Sequence, residues 1–85
     1  MDMEILKKVI ELAAEQVGAD SNQISAESHF VNDLNYDSLD RVDFTMKLEE
    51  EFELSVPDEE AESLQTVGDV VNYIAAHRET KAAGA

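Results

Sequence analysis

The sequence predicts an all-α domain, a small four-helix bundle of three longer helices and one short one, with a long ordered loop between the first two. Three observations carry that prediction. Apolar residues recur at spacings of three and four in separate stretches, the period of a helix with one buried face. Capping residues stand at the ends of those stretches. The one strand-like alternation, Phe52, Leu54 and Val56, has no second strand to pair with and reads as a connector.

The first helix follows Asp2, an N-cap residue, and carries Met3, Leu6, Val9, Ile10, Ala13 and Val17 on its apolar side. Gly18 stands where a left-handed residue would end it. The span from Gly18 to about Tyr36 is longer than most loops in compact domains, but Ile24, Phe30, Val31 and Leu34 supply apolar anchors, and His29 packs or caps within it. The second helix runs from about Ser38 to Phe52 with Asp37 as its N-cap. Ser38 then takes the first helical position with its hydroxyl toward solvent, so that a group attached there would be displayed. Asp-Ser-Leu alone is a weak signal, since serines at helix starts mostly cap. Pro57-Asp58-Glu59-Glu60 opens a short helix ending near Ser63, with proline tolerated in the first turn and acids favoured by the helix dipole. The last helix opens at Thr66-Val67-Gly68-Asp69, a capping box, and buries Val67, Val70, Val71 and Ile74. Residues 1–77 make one domain, and 78–85 read as a frayed tail.

Composition narrows the function. In 85 residues, 20 acids face 6 Lys plus Arg, a net charge of −14. Such a surface repels nucleic acid and anionic lipid heads and attracts basic protein patches. Without cysteine there is no disulfide, thiolate metal site or cysteine nucleophile. The stretch after Met1 carries Asp2 and Glu4 and no long apolar run, so no stable membrane insertion is expected. The expected setting is the cytoplasm, or an organelle after removal of a presequence. His29 and His77 are isolated and Ser38 lacks the Gly-x-Ser-x-Gly elbow, so no catalytic residues and no enzyme are expected. The acids do not fall at EF-hand positions, and no metal site is expected beyond loose cation binding.

The second helix has two apolar stripes. At about 100° per residue, Phe44, Leu48 and Phe52 share one side, while Leu39, Val42 and Met46 share another rotated by roughly 150°. Either the helix lies between neighbours and both stripes are buried, or the second is partly exposed beside Ser38, framed by Asp37, Asp40, Asp43 and Glu50. The latter would be a docking surface with an apolar centre and an acidic rim. Between Asp33 and Glu62 there are 12 acids and 2 bases, a net −10 around that serine. Charge runs are usually solvated faces; this one surrounds a displayed serine and favours basic partners.

The run Phe30-Val31-Asn32-Asp33-Leu34-Asn35-Tyr36-Asp37-Ser38-Leu39-Asp40, continued by Leu48-Glu49-Glu50-Glu51-Phe52 and Val56-Pro57-Asp58-Glu59-Glu60-Ala61, resembles the acyl carrier proteins of fatty acid synthesis. The resemblance extends from Leu6 to His77. It implies that residues 1–77 are an acyl carrier domain with 4′-phosphopantetheine joined to the Ser38 hydroxyl as a phosphodiester, the arm's thiol holding an acyl chain as a thioester. It implies a partner face of Asp37, Leu39, Asp40, Val42, Asp43, Met46, Glu49, Glu50 and Val56, and an acyl cleft that includes Phe44, Leu48, Leu64 and Val70. The implied partners are a phosphopantetheinyl transferase and ketoacyl synthases, reductases, dehydratases and acyltransferases with basic docking patches, meeting a monomeric carrier. Peptidyl and polyketide carriers share the serine but are typically less acidic and lie within larger chains. The alternative is a carrier-like structural or regulatory subunit that binds a helical partner through the acidic helix.

The chain departs from the family at a few positions. Asn35 stands where most relatives have Gly, and Asn also tolerates a positive φ. Tyr36 adds an aromatic group beside the attachment position. Arg41 and Lys47 put positive charge on an otherwise acidic helix. Both predict pairing with neighbouring acids, such as Lys47 with Glu51 or Asp43 at helical spacing, worth about 0.2–0.5 kcal/mol each, and both cations are candidates for partner discrimination in a pathway-dedicated carrier.

Overall fold

The computed structural model describes the backbone of residues 2–84 and the side chains of residues 2–77. Its elements are α1 (Met3–Val17), a single 3-10 turn (Ser21–Gln23), α2 (Ser38–Phe52), α3 (Asp58–Ser63) and α4 (Val67–Gly84). The fold is all-α, with no strand among the described residues. The frayed tail expected over 78–85 lies outside the residues whose side chains are described.

Local chemistry explains the helix ends. The Asp2 carboxylate accepts from the Glu4 and Ile5 amides at 3.0 and 3.2 Å, satisfying donors that the first turn leaves unpaired. At the other end Gly18 takes φ 65°. The Ala19 amide then reaches the Ala14 carbonyl at 2.9 Å and the Gly18 amide the Glu15 carbonyl at 3.4 Å, the Schellman pattern that a left-handed residue permits. The capping box of α4 forms as expected: the Asp69 amide donates to Thr66 Oγ1 at 3.1 Å, and Asp69 Oδ2 accepts from the Thr66 amide at 3.2 Å. Pro57 is the N-cap of α3, one place earlier than the first-turn position expected for it.

α1 packs against both α2 and α4. The core joins Ile5, Val9 and Ala13 of α1 to Phe44 and Leu48 of α2 and to Val67, Val70, Val71 and Ile74 of α4. The buried stripe of α1 centres on Ile5, Val9 and Ala13, so Met3 and Val17, expected on the apolar side, remain exposed at its margins.

The long loop is ordered by its own side chains. Ile24 and Phe30 are buried as expected, whereas Val31 is exposed. His29 bridges to Thr66, and the Phe30 and Val67 amides donate to the Gln65 and Ser28 carbonyls at 3.0 Å each, tying the loop to the start of α4. His29 Nδ1 accepts from the Asn32 amide at 3.3 Å, the capping role expected of it. Asn35 takes φ 57°, the positive value anticipated for it. Tyr36, expected as an aromatic neighbour of the site, instead belongs to the core at 4% exposure. Its ring packs against Phe30 and Phe44 with centroids 5.2 and 5.8 Å away, and its hydroxyl donates to the Ala13 carbonyl at 2.7 Å.

Candidate functional site

The site begins at the join of the loop and α2. Asp37 is extended and caps the helix: its Oδ1 accepts from the Asp40 amide at 2.8 Å, and Asp40 Oδ2 accepts from the Asp37 amide at 3.2 Å. The sequence reading anticipated the cap but not this reciprocal box. Asp40 also accepts from the Gln16 side chain at 3.3 Å, which fixes the start of α2 against α1. Ser38, the first residue of α2, is exposed, and its hydroxyl bonds to no other side chain or backbone group among the described residues. It lies at the positive end of the helix dipole, although Asp37 and Asp40 oppose a free anion there. The combination is poor for holding inorganic phosphate and suited to a group joined covalently.

The two stripes of α2 separate. Phe44 and Leu48 are buried and Phe52 is half-buried, whereas Leu39, Val42 and Met46 are 68%, 55% and 54% exposed. The exposed three descend from Ser38 with Asp43 and Glu50, also exposed, beside them. Asp37 and Asp40 spend part of their hydrogen-bonding capacity on the cap. Glu49 is half-buried and accepts the Val56 amide at 2.9 Å.

Val56 departs from its expected place on the partner face. At 6% exposure it is core, because the connector turns inward between α2 and α3. It lines two adjoining spaces. One is an open groove of about 630 Å³ between α2 and α3, bordered by Ser38, Val42, Met46, Val56 and Glu62. The other is a cleft of about 20 Å³, room for one water, that gathers Phe44, Leu48, Leu64 and Val70. All four residues expected for an acyl cleft thus share one wall system, joined by Tyr36, Arg41 and Ala61, which the sequence reading had not placed there.

Arg41 and Lys47 also differ from expectation. The Arg41 guanidinium donates from Nη2 to the carbonyls of Ala61 at 3.0 Å and Glu62 at 3.4 Å, at the C-terminal end of α3, where the Ala61 carbonyl also accepts from the Leu64 amide at 3.2 Å. Lys47 reaches the Gln16 side chain on α1 at 3.0 Å, and Glu51 pairs with Lys8 at 3.7 Å. Tertiary neighbours displaced the pairs along α2.

The protein-family profile described as "Phosphopantetheine attachment site" matches residues 7–74. An acyl carrier protein of Clostridium acetobutylicum is 53% identical over 75 residues, covering 88% of this chain and 97% of the relative. The structure of an acyl carrier protein from Enterococcus faecalis superposes with a TM-score of 0.74 at 34% identity, covering 87% of this chain and 94% of that one. The solution structure of a candidate acyl carrier protein from Anaplasma phagocytophilum superposes with a TM-score of 0.79 at 38% identity, covering 87% of this chain and 88% of that one.

Proposed function

The chain belongs to the acyl carrier proteins, and on that premise we propose that Ser38 is the residue to which its 4′-phosphopantetheine arm is joined. Such a protein is a carrier and not a catalyst. When bound, the arm supplies a thiol that holds acyl chains as thioesters. The observation that carries the assignment is the exposed, unengaged Ser38 hydroxyl at the first position of α2, beside a groove open to solvent. The Asp37–Asp40 box supports it by fixing where the helix starts and so which way the serine faces.

The partner face in this reading is Leu39, Val42 and Met46 as apolar centre, with Asp43 and Glu50 as free charges and Asp37, Asp40 and Glu49 adding to the negative field. Burial removes Val56 from it. Basic patches on a phosphopantetheinyl transferase, ketoacyl synthases, reductases, dehydratases and acyltransferases are its natural complements, because opposite charge speeds encounter and fixes orientation. Among the described residues no helix is long and apolar enough to cross a membrane. We place the carrier in the cytoplasm as a monomer, with its function in residues 1–77. Phe44, Leu48, Leu64 and Val70 would receive the near end of the acyl chain.

Incubation with a phosphopantetheinyl transferase and coenzyme A, followed by proteolysis and fragment mass analysis, tests the assignment. The added mass is expected on the fragment containing Ser38; its appearance on a fragment without Ser38 would refute the site.

A further inference from the structure

α3 is a weakly founded wall. It has six residues, well short of a helix that persists alone in water, and none of them is fully buried. Its N-cap, Pro57, makes no side-chain capping bond. Two side chains from neighbouring helices pin it instead. Tyr73 of α4 donates its hydroxyl to the Glu60 carboxylate at 2.6 Å, and Arg41 of α2 donates to the Ala61 and Glu62 carbonyls. Of the two, only Arg41 also borders both the groove beside Ser38 and the apolar cleft.

The cleft holds about 20 Å³, too little for a run of methylenes, so a chain can enter only if a wall moves. Phe44, Leu48 and Val70 cannot give way cheaply, because they are core residues shared with α1. Ala61 and Leu64 belong to α3 and its end and are only half-buried. The wall that yields is therefore α3, and of its two ties the one that borders the cleft, and so must break when the cleft opens, is that of Arg41. We propose that Arg41 is a latch on α3 whose hold sets how readily the cleft admits an acyl chain, a positioning and specificity role that rests on the carrier reading above. Water replaces the guanidinium contacts when the latch opens, so the hold is modest.

Two measurements test this. In arm-free protein, hydrogen exchange at the Ala61 and Leu64 amides, which bond the Pro57 and Ala61 carbonyls, reports the opening of α3. Arg41→Gln is expected to speed that exchange about tenfold with α1 unchanged, and Arg41→Lys to speed it less. In loaded protein, the rise in melting temperature from acetyl to octanoyl is expected to be larger in Arg41→Gln than in the parent, because the variant no longer loses the latch when the chain enters. Unchanged exchange in Arg41→Gln, or equal rises in the two proteins, would overturn the proposal. If no arm can be loaded at all, the attachment site is at fault, and the exchange measurement on arm-free protein still decides the latch.

Discussion

The Tyr36 hydroxyl donates a 2.7 Å hydrogen bond to the Ala13 carbonyl, fastening the residue two places before Ser38 to the C-terminal half of α1. A loop that would otherwise vary the start of α2 is thereby given one position, and with it the Asp37 cap and the direction of Ser38. Tyr36→Phe keeps the ring contacts with Phe30 and Phe44 and removes only the bond. It is expected to cost about 1 kcal/mol, lowering the melting temperature by about 4–8 °C in a domain of this size. Thermal denaturation followed by circular dichroism measures it; an unchanged midpoint would mean the bond contributes nothing.

The two sides of α2 should respond oppositely to truncation. Phe44→Ala removes a buried ring and is expected to cost about 3–5 kcal/mol, a large share of the stability of a small domain. Met46→Ala, on the exposed stripe, should change stability by less than about 0.5 kcal/mol while slowing transfer of the arm by a transferase. Comparable destabilisation by the two would show that the second stripe is buried.

How much of this was legible in the sequence depended on range. Effects that act within one turn were readable: the caps of α1 and α4, the span of α2, the positive φ of Asn35. The separation of Phe44 and Leu48 from Leu39, Val42 and Met46 was readable as two stripes, but which was buried depended on where α1 and α4 pack. Tyr36 was misplaced because a lone aromatic among turn residues has no periodicity, and its burial follows from an acceptor 23 residues away. Arg41 and Lys47 were assigned local acids because spacing is all a single helix offers; their partners lie on α3 and α1. Val56 was placed outside since nothing in its neighbours records the inward turn of the connector.

Alkali should loosen the clasp between α4 and α3. Burial first, then the hydrogen bond to Glu60 and the charges of Glu60 and Glu49, push the Tyr73 phenol up to about 12 from an ordinary 10.0. Because the folded value is the higher one, the neutral phenol's contribution is complete below pH 10 and is lost as pH rises toward about 12. Burial, helped by Asp40, raises the Tyr36 phenol still further, so its contribution also begins to fall above pH 10 and goes on falling past the Tyr73 value. The parent's melting temperature should fall across this window, and that of Tyr73→Phe should fall less. Parallel profiles would remove Tyr73 from the account.

Fourteen excess negative charges on 85 residues repel one another in the compact state. Added salt or a millimolar divalent cation screens that repulsion and should raise the melting temperature. A midpoint flat across the titration would show that self-repulsion is not a term in its stability.

The central claim is that one displayed hydroxyl carries the arm, and intact-mass spectrometry of parent and Ser38→Ala, each treated with a phosphopantetheinyl transferase and coenzyme A, tests it most directly. The parent is expected to gain the mass of one phosphopantetheinyl group and Ser38→Ala none, with the helical circular dichroism of the two alike. A gain of that mass by Ser38→Ala, or none by the folded parent, would contradict it.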